Sequence, residues 1–318
     1  MKNLTPIYTL LFLSVTIACS NTVTSQKTDS TNKVINAETP GIKSQNQALQ
    51  KRIEQIAAAA RGRVGVAAVV LETGESVALN SKERFPMQSV YKFPIGMAIL
   101  HQIGVGKLKL DQRIKVDKSD FVKKTMRSPL RDENPNGAEI TVGELLRLAI
   151  SESDGTASDV LLKLAGGAEA VGKYLKEIEV GEMVIANPEK EIGADWETQY
   201  RNWASPDGAV QLLRALFEQR ELSESSRALL IKLMTETPTG LNRLKKLLPK
   251  DTVVVHKTGT SGSRNGITAA TNDIGIITLP NGKHFAVAVF VSDSPADEAT
   301  REAVIAKIAK AIWDEWSK

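Results

Sequence analysis

The stretch Met87-Gln-Ser-Val-Tyr-Lys-Phe-Pro94 places a serine three residues before a lysine, at the head of an apolar run that continues to Ile103. Residues three apart share a face of a helical turn, so the Lys92 amine is within reach of the Ser89 hydroxyl. One reading is structural, with Ser89 as a helix cap and Lys92 solvated. The other is chemical: a serine hydroxyl is a weak nucleophile at neutral pH and needs a base at hydrogen-bond distance. Ser-x-x-Lys recurs by chance in many chains, so the remaining sequence has to decide between the two.

Composition narrows the classes. The 318 residues are 42% hydrophobic, which allows a substantial core in one large or two smaller domains. The net charge of +4 is spread along the chain with no basic stripe, so no nucleic-acid partner is expected. A single cysteine, Cys19, excludes an intramolecular disulfide. His101, His256 and His284 are far apart and offer no zinc spacing, so neither a metal nor a cofactor is expected. Lys2 and the apolar Ile7–Ala18 run read as a signal peptide over residues 1–19, too short for a comfortable membrane span. Thr16-Ile-Ala-Cys19 is similar to a lipobox, with Thr16 where leucine is usual. Cys19 then becomes a lipid anchor, or an ordinary cut nearby frees a soluble protein; in both cases the product is expected in the periplasm. Residues 20–46, rich in Ser, Thr, Asn and Lys, read as a disordered linker.

Periodicity then predicts a helix near residues 47–60, a buried strand over 63–71 and a return strand over 76–79. A helix over 90–103 follows, stopped by Gly104 and Gly106. Thr141-Val-Gly-Glu144 is a capping-box pattern opening a helix to Ser151, and further helices fall at 157–164 and 168–178. Residues 181–202 read as a long irregular loop, and Ser205-Pro206 opens two helices running to about Met234. Strands at 252–256, 274–279 and 284–291, the last two around the turn Pro280-Asn-Gly-Lys283, precede a helix over 297–313. The expected fold is α/β plus all-α: an antiparallel sheet flanked by helices and built from both termini (47–86 and 236–318), with an inserted all-helical domain (87–235). The site is expected at their seam.

Two more short stretches complete the pattern opened by Ser89-x-x-Lys92. Ser153-Asp-Gly155 lies between helices, and Lys257-Thr-Gly259 ends a strand, with Thr260-Ser-Gly after it. Each is weak alone; their order and settings together match the set S-x-x-K, S-D-N and K-T-G. Residues 47–318 resemble a class A serine β-lactamase. His256-Lys-Thr-Gly-Thr-Ser261 and Ala269-Ala-Thr-Asn-Asp-Ile-Gly275 are similar to the extended-spectrum subgroup of that family.

The resemblance implies hydrolysis of a small β-lactam by a short single catalytic unit acting as a monomer, through an acyl-enzyme on Ser89. Lys92 would be the neighbouring base, Ser153 would pass a proton to the leaving nitrogen, and Lys257 would supply positive charge. Counting back from Tyr200-Arg-Asn-Trp203, Glu189 falls where the family holds its hydrolytic base, with Glu191 as competitor. Whether Lys92 or Glu189 takes the serine proton stays open. The backbone N–H groups of Ser89 and Thr260 would form the oxyanion hole, and Gly155, Thr258, Gly259, Thr260 and Ser261 would bind substrate.

Three positions depart from the family pattern. Gly155 stands where an asparagine usually follows Ser-Asp, Gly193 where an asparagine often helps hold the hydrolytic water, and Arg127 near a position often aromatic. These keep two alternatives in view, a penicillin-binding peptidase relative and a non-hydrolytic binding descendant. A Ser-His-Asp hydrolase would want Gly-x-Ser-x-Gly, which Met87-Gln-Ser-Val-Tyr91 does not provide.

Overall fold

Strand β1 (Arg63–Val70) buries every residue after Arg63, because both faces of its sheet are covered. The computed structural model describes Met1, residues 44–192 and residues 195–318. The signal segment, Cys19, most of the linker and Gly193 lie outside the described residues. After β1 come β2 (Ser76–Leu79), β3 (Val254–Thr260), β4 (Thr271–Thr278) and β5 (His284–Ser292). They form one antiparallel sheet of order β2-β1-β5-β4-β3, so strands from both ends of the chain meet at its centre.

Successive side chains on a strand point to opposite faces, and each face has its own core. On one face Val64, Val66, Val287 and Val289 pack with Leu49 and Ile53 of the Gln47–Ala57 helix and with Ile305, Ile308 and Ile312 of the Glu298–Trp316 helix. On the other, Ala67, Val69, Ile274, Ile276 and Ala288 join the core of the helical part. The Lys92–Gly104 helix runs through that second core and is buried at every position from Lys92 to Leu100. A helix apolar on all sides belongs in the interior, which is where its neighbours put it. Helices Val142–Ile150, Gly155–Leu164, Gly167–Glu177, Pro206–Phe217 and Glu224–Thr235 surround it. The expected mixed fold, an antiparallel sheet with a helical middle, is the observed one.

Local details differ from the sequence reading. The strand expected at 252–256 runs instead from Val254 to Thr260, carrying Lys257-Thr-Gly inside the sheet, because β4 supplies backbone partners as far as Thr271↔Thr260. The helix expected from Val90 begins as a 3₁₀ turn, Gln88–Tyr91, and becomes α-helical at Lys92. The loop expected to be irregular over 181–202 holds a short strand at Met183–Val184, a helical turn at Glu189–Ile192 and a 3₁₀ turn at Thr198–Tyr200. Thr141 caps its helix by accepting the Glu144 N–H, but the Glu144 carboxylate pairs with Arg147 and leaves the capping box half made. A hairpin of Arg113–Val116 with Ala138–Thr141 escaped the sequence reading, since no tight turn marks strands so far apart. Ser44 and Asn46, assigned to the linker by composition, are tied down by the Ala78 backbone and by capping the first helix. Among the described residues no helix is long and apolar enough to cross a membrane.

Candidate active site

Ser89 sits half-buried in the 3₁₀ turn ahead of the buried helix. The turn is held from two sides. Gln88 adopts a left-handed φ of 48° and donates its amide to Gln199 Oε1 at 2.8 Å. The Asn272 amide, from β4, donates to the carbonyls of Pro86 at 2.8 Å and Met87 at 3.2 Å. Non-glycine residues in that region of φ are strained and persist only where surrounding contacts impose them. Gly259 of β3 explains how the turn comes so close to the sheet: a Cβ there would lie 2.2 Å from the Met87 carbonyl oxygen.

Lys92 is 1% exposed, and its Nζ has three oxygen partners: Ser89 Oγ at 2.7 Å, Ser153 O at 3.2 Å and Glu189 Oε2 at 3.0 Å. The solvated-lysine reading of the opening motif is therefore excluded. Ser153 is also left-handed, with φ 60°. It is fixed by its neighbour Asp154, which is fully buried and caps the Gly155–Leu164 helix by accepting the Ala157 N–H at 2.8 Å. Asp154 further accepts the Leu130 N–H and the Ser128 hydroxyl.

From the opposite side, Lys257 of β3 donates to Ser153 Oγ at 3.0 Å. Lys257 shares its strand face with Val255, toward the helical core, whereas Thr258 and Thr260 point the other way. Complete burial, and then the charge of Lys92, push its amine down to about 7.

Glu189 reaches the cluster from the loop. Asn202 shapes that loop by accepting the N–H groups of Ala186 and Asn187 at 2.7 and 2.9 Å and donating to the Asn187 carbonyl. Asp159 accepts the N–H groups of Glu189 and Lys190. Glu189 Oε2 then receives Lys92 and the Tyr91 hydroxyl, the latter at 2.9 Å. Glu191, its competitor, is exposed and takes the Asn187 amide instead.

A cavity of about 640 Å³ opens above these groups. Ser89, Ser153, Glu189, Thr258, Thr260 and Ser261 line it, along with Arg127, Trp196 and Arg243. Gly155 and Gly259, expected among the substrate-binding residues, do not line it. The Glu189 stem packs where a Gly155 side chain would be, and the Met87 carbonyl covers Gly259. Arg243 is a charged cavity residue that sequence reasoning missed. It is 4% exposed and donates to Thr260 Oγ1 at 2.7 Å and to the Asn272 carbonyl at 2.9 Å, with Glu302 on its Nε. No local motif marks it, since its partners come from two strands and the last helix. Among the described residues no group of three or more His, Cys, Asp and Glu side chains is placed to hold a metal ion.

An antiparallel sheet joined to a helical part, with a serine, two lysines and a loop glutamate converging between them, is the layout of a class A serine β-lactamase. The chain belongs to the β-lactamase enzyme family, whose model matches residues 48–316. It is 42% identical over 272 residues to β-lactamase VEB-1 of Pseudomonas aeruginosa, covering 85% of this chain and 91% of that relative. It is 41% identical over 269 residues to the extended-spectrum β-lactamase PER-1 of the same species, covering 85% and 87%. Among solved structures, a β-lactamase from Chitinophaga pinensis matches with TM-score 0.82 at 43% identity, covering 85% of this chain and 99% of that one. The TLA-1 extended-spectrum β-lactamase matches with TM-score 0.83 at 41% identity and the same coverage.

Proposed function

We propose that this protein hydrolyses the β-lactam amide of penicillins and cephalosporins through an acyl-enzyme on Ser89, and so confers resistance to them. The observation that carries the reading is the position of Lys92 Nζ, 2.7 Å from Ser89 Oγ and 3.0 Å from Glu189 Oε2. An amine in contact with both groups passes one proton to Glu189 and then accepts the serine proton as Oγ attacks the lactam carbonyl. Negative charge builds on that carbonyl oxygen and meets the backbone N–H groups of Ser89 and Thr260; losing one such donor typically costs about 3 kcal/mol. Ser153 gives its proton to the leaving nitrogen and is resupplied by Lys257, 3.0 Å away.

Thr258, Thr260 and Ser261 of the cavity wall hold the substrate carboxylate, with Arg243 behind Thr260 and the Lys257 charge beside Ser153. Each charge-assisted bond of this kind contributes about 1.5–3 kcal/mol. Glu189 takes the proton of a water that attacks the ester and releases Ser89. The likeness to relatives named as extended-spectrum enzymes supports activity on late as well as early cephalosporins. No metal or cofactor enters this chemistry.

The same reading takes the protein to the periplasm as a monomer, through the signal segment ahead of residue 20, with Cys19 as a lipid anchor if the cut falls just before it. The intact mass of the exported protein decides between a lipidated Cys19 and a free amino terminus. The same reading divides the chain into a sheet domain of 47–86 with 236–318 and a helical domain of 87–235 whose core continues onto one face of the sheet, the other face having a core of its own.

The functional test incubates the exported protein with a penicillin, an early and a late cephalosporin, and follows ring opening and intact mass. Turnover is expected for the wild type, and Ser89→Ala should show neither turnover nor added mass. A long-lived adduct without turnover would instead indicate the penicillin-binding peptidase, and no adduct at all a non-hydrolytic binding protein.

A further inference from the structure

We infer that Tyr91 is a positioning residue for Glu189, its phenol holding the carboxylate that the loop delivers beside Lys92. The inference rests on the catalytic reading above and names a residue that reading does not use. Tyr91 lies between Ser89 and Lys92 in sequence and is fully buried. Its hydroxyl donates to Glu189 Oε2 at 2.9 Å and receives only a long 3.4 Å bond from Ser158. Burial, then the neighbouring carboxylates of Glu189 and Asp159, push the phenol well above its ordinary range, so it remains a donor wherever the enzyme works.

Gly155 supplies the second half of the arrangement. A Cβ at this position would lie 2.9 Å from Glu189 Cγ and 3.3 Å from the Arg127 carbonyl oxygen. The Glu189 stem therefore occupies space that any side chain at 155 would need. With no side chain at 155 to brace it, Glu189 is held at its stem by packing against Gly155 and at its tip by Tyr91 and Lys92. When Lys92 moves a proton, the phenol is the partner of Oε2 that does not change charge. It keeps one oxygen fixed and leaves the other to take the proton of a water. Lys92, Lys257 and Asp159 are the other ionisable groups acting on this carboxylate.

The test is Tyr91→Phe, which removes one hydroxyl and keeps the ring. A lost hydrogen bond to a charged group is expected to slow deacylation roughly ten- to hundredfold. Acylation needs Glu189 only through Lys92, so kcat and KM should fall together while kcat/KM changes less than about threefold. Acyl-enzyme should accumulate in the intact mass. Gly155→Ala reads the same contact from the other side and should also lower kcat and KM together. An unchanged kcat with no accumulated acyl-enzyme in Tyr91→Phe would overturn the proposal. So would equal losses of kcat and kcat/KM accompanied by a lower Tm, which a merely structural tyrosine would produce. An inactive wild type, or an active Ser89→Ala, would overturn the catalytic reading itself and is told apart by that pair alone.

Discussion

The Asp159 carboxylate accepts the backbone N–H groups of both Glu189 and Lys190, at 2.6 and 3.0 Å, and so ties the loop to the Gly155–Leu164 helix. Burial drives this carboxylate up to about 6, against the two N–H donors, which pull it down. In the unfolded chain it would titrate near 4. Between about 4 and 6 the folded protein therefore holds a proton that the unfolded chain has released. The stability contributed by this group is complete below about pH 4 and is lost as pH rises through about 6. Asp159→Asn removes the titration. The Tm of the wild type minus that of the variant should decline from pH 4 to pH 7, and a flat difference would contradict this account. At neutral pH the variant should also lose roughly tenfold in kcat, since one N–H of the loop gives up its charged acceptor.

Lys257 titrates in the opposite sense. Held to about 7 by burial and by Lys92, it sheds a proton that the unfolded chain keeps until about 10. Its contribution to stability accordingly rises with pH between those values. Binding follows the charge: once the free enzyme loses this cation, an anionic β-lactam is held less well. A plot of kcat/KM against pH should fall on an alkaline limb with its midpoint near 7. In kcat the limb should lie higher, because bound carboxylate stabilises the ammonium. Steady-state rates from pH 5.5 to 9.5 check this, and an unchanged kcat/KM up to pH 9 would rule it out.

Arg243→Ala should raise KM for anionic substrates roughly ten- to hundredfold with a smaller effect on kcat, as one charged partner of the Thr260 hydroxyl disappears. The variant also leaves the largely buried Glu302 without its 3.0 Å partner. Removing one member of a buried pair costs about 3 kcal/mol. Urea unfolding should report that loss separately from the kinetics.

Two glycine substitutions should behave oppositely. Gly259→Ala forces a Cβ to within 2.2 Å of the Met87 carbonyl, where backbone meets backbone and neither yields without moving Ser89. Activity should drop at least a hundredfold and stability by about 1–3 kcal/mol. Gly172→Ala places its Cβ in open space on the Gly167–Glu177 helix and should stabilise by about 0.5–1 kcal/mol with unchanged kinetics. Chemical denaturation and initial rates on both variants decide the matter.

Much of the fold was readable from local pattern. The run from Val64 to Val70 announced a strand covered on both sides, and Pro280-Asn-Gly-Lys283 announced a hairpin whose Gly282 takes φ 80°. Ser205 accepts the Gly208 N–H and Pro206 occupies the first turn of its helix, as the sequence signals. Ser89 and Lys92 were legible as a pair because three residues is a distance the backbone itself sets. The loop over 181–202 was read as irregular because the group that ties Glu189 in place is elsewhere in the chain. Asp159 lies 30 residues from Glu189, and nothing in either local sequence states that they meet. Arg243 was invisible for the same reason, its partners lying on β3, β4 and the final helix.

By itself the sequence determined most of the long helices and the strands of the main sheet, and which serine and lysine share a turn. These depend on contacts a few residues long, which periodicity and capping record directly. Only the tertiary structure decided that Glu189 and not Glu191 meets Lys92, that Lys257 is buried enough to titrate near 7, and that Gly155 gives its space to Glu189. Each of those outcomes depends on desolvation and packing between elements far apart in the chain, and such energies exist only once the sheet and helices have closed on one another.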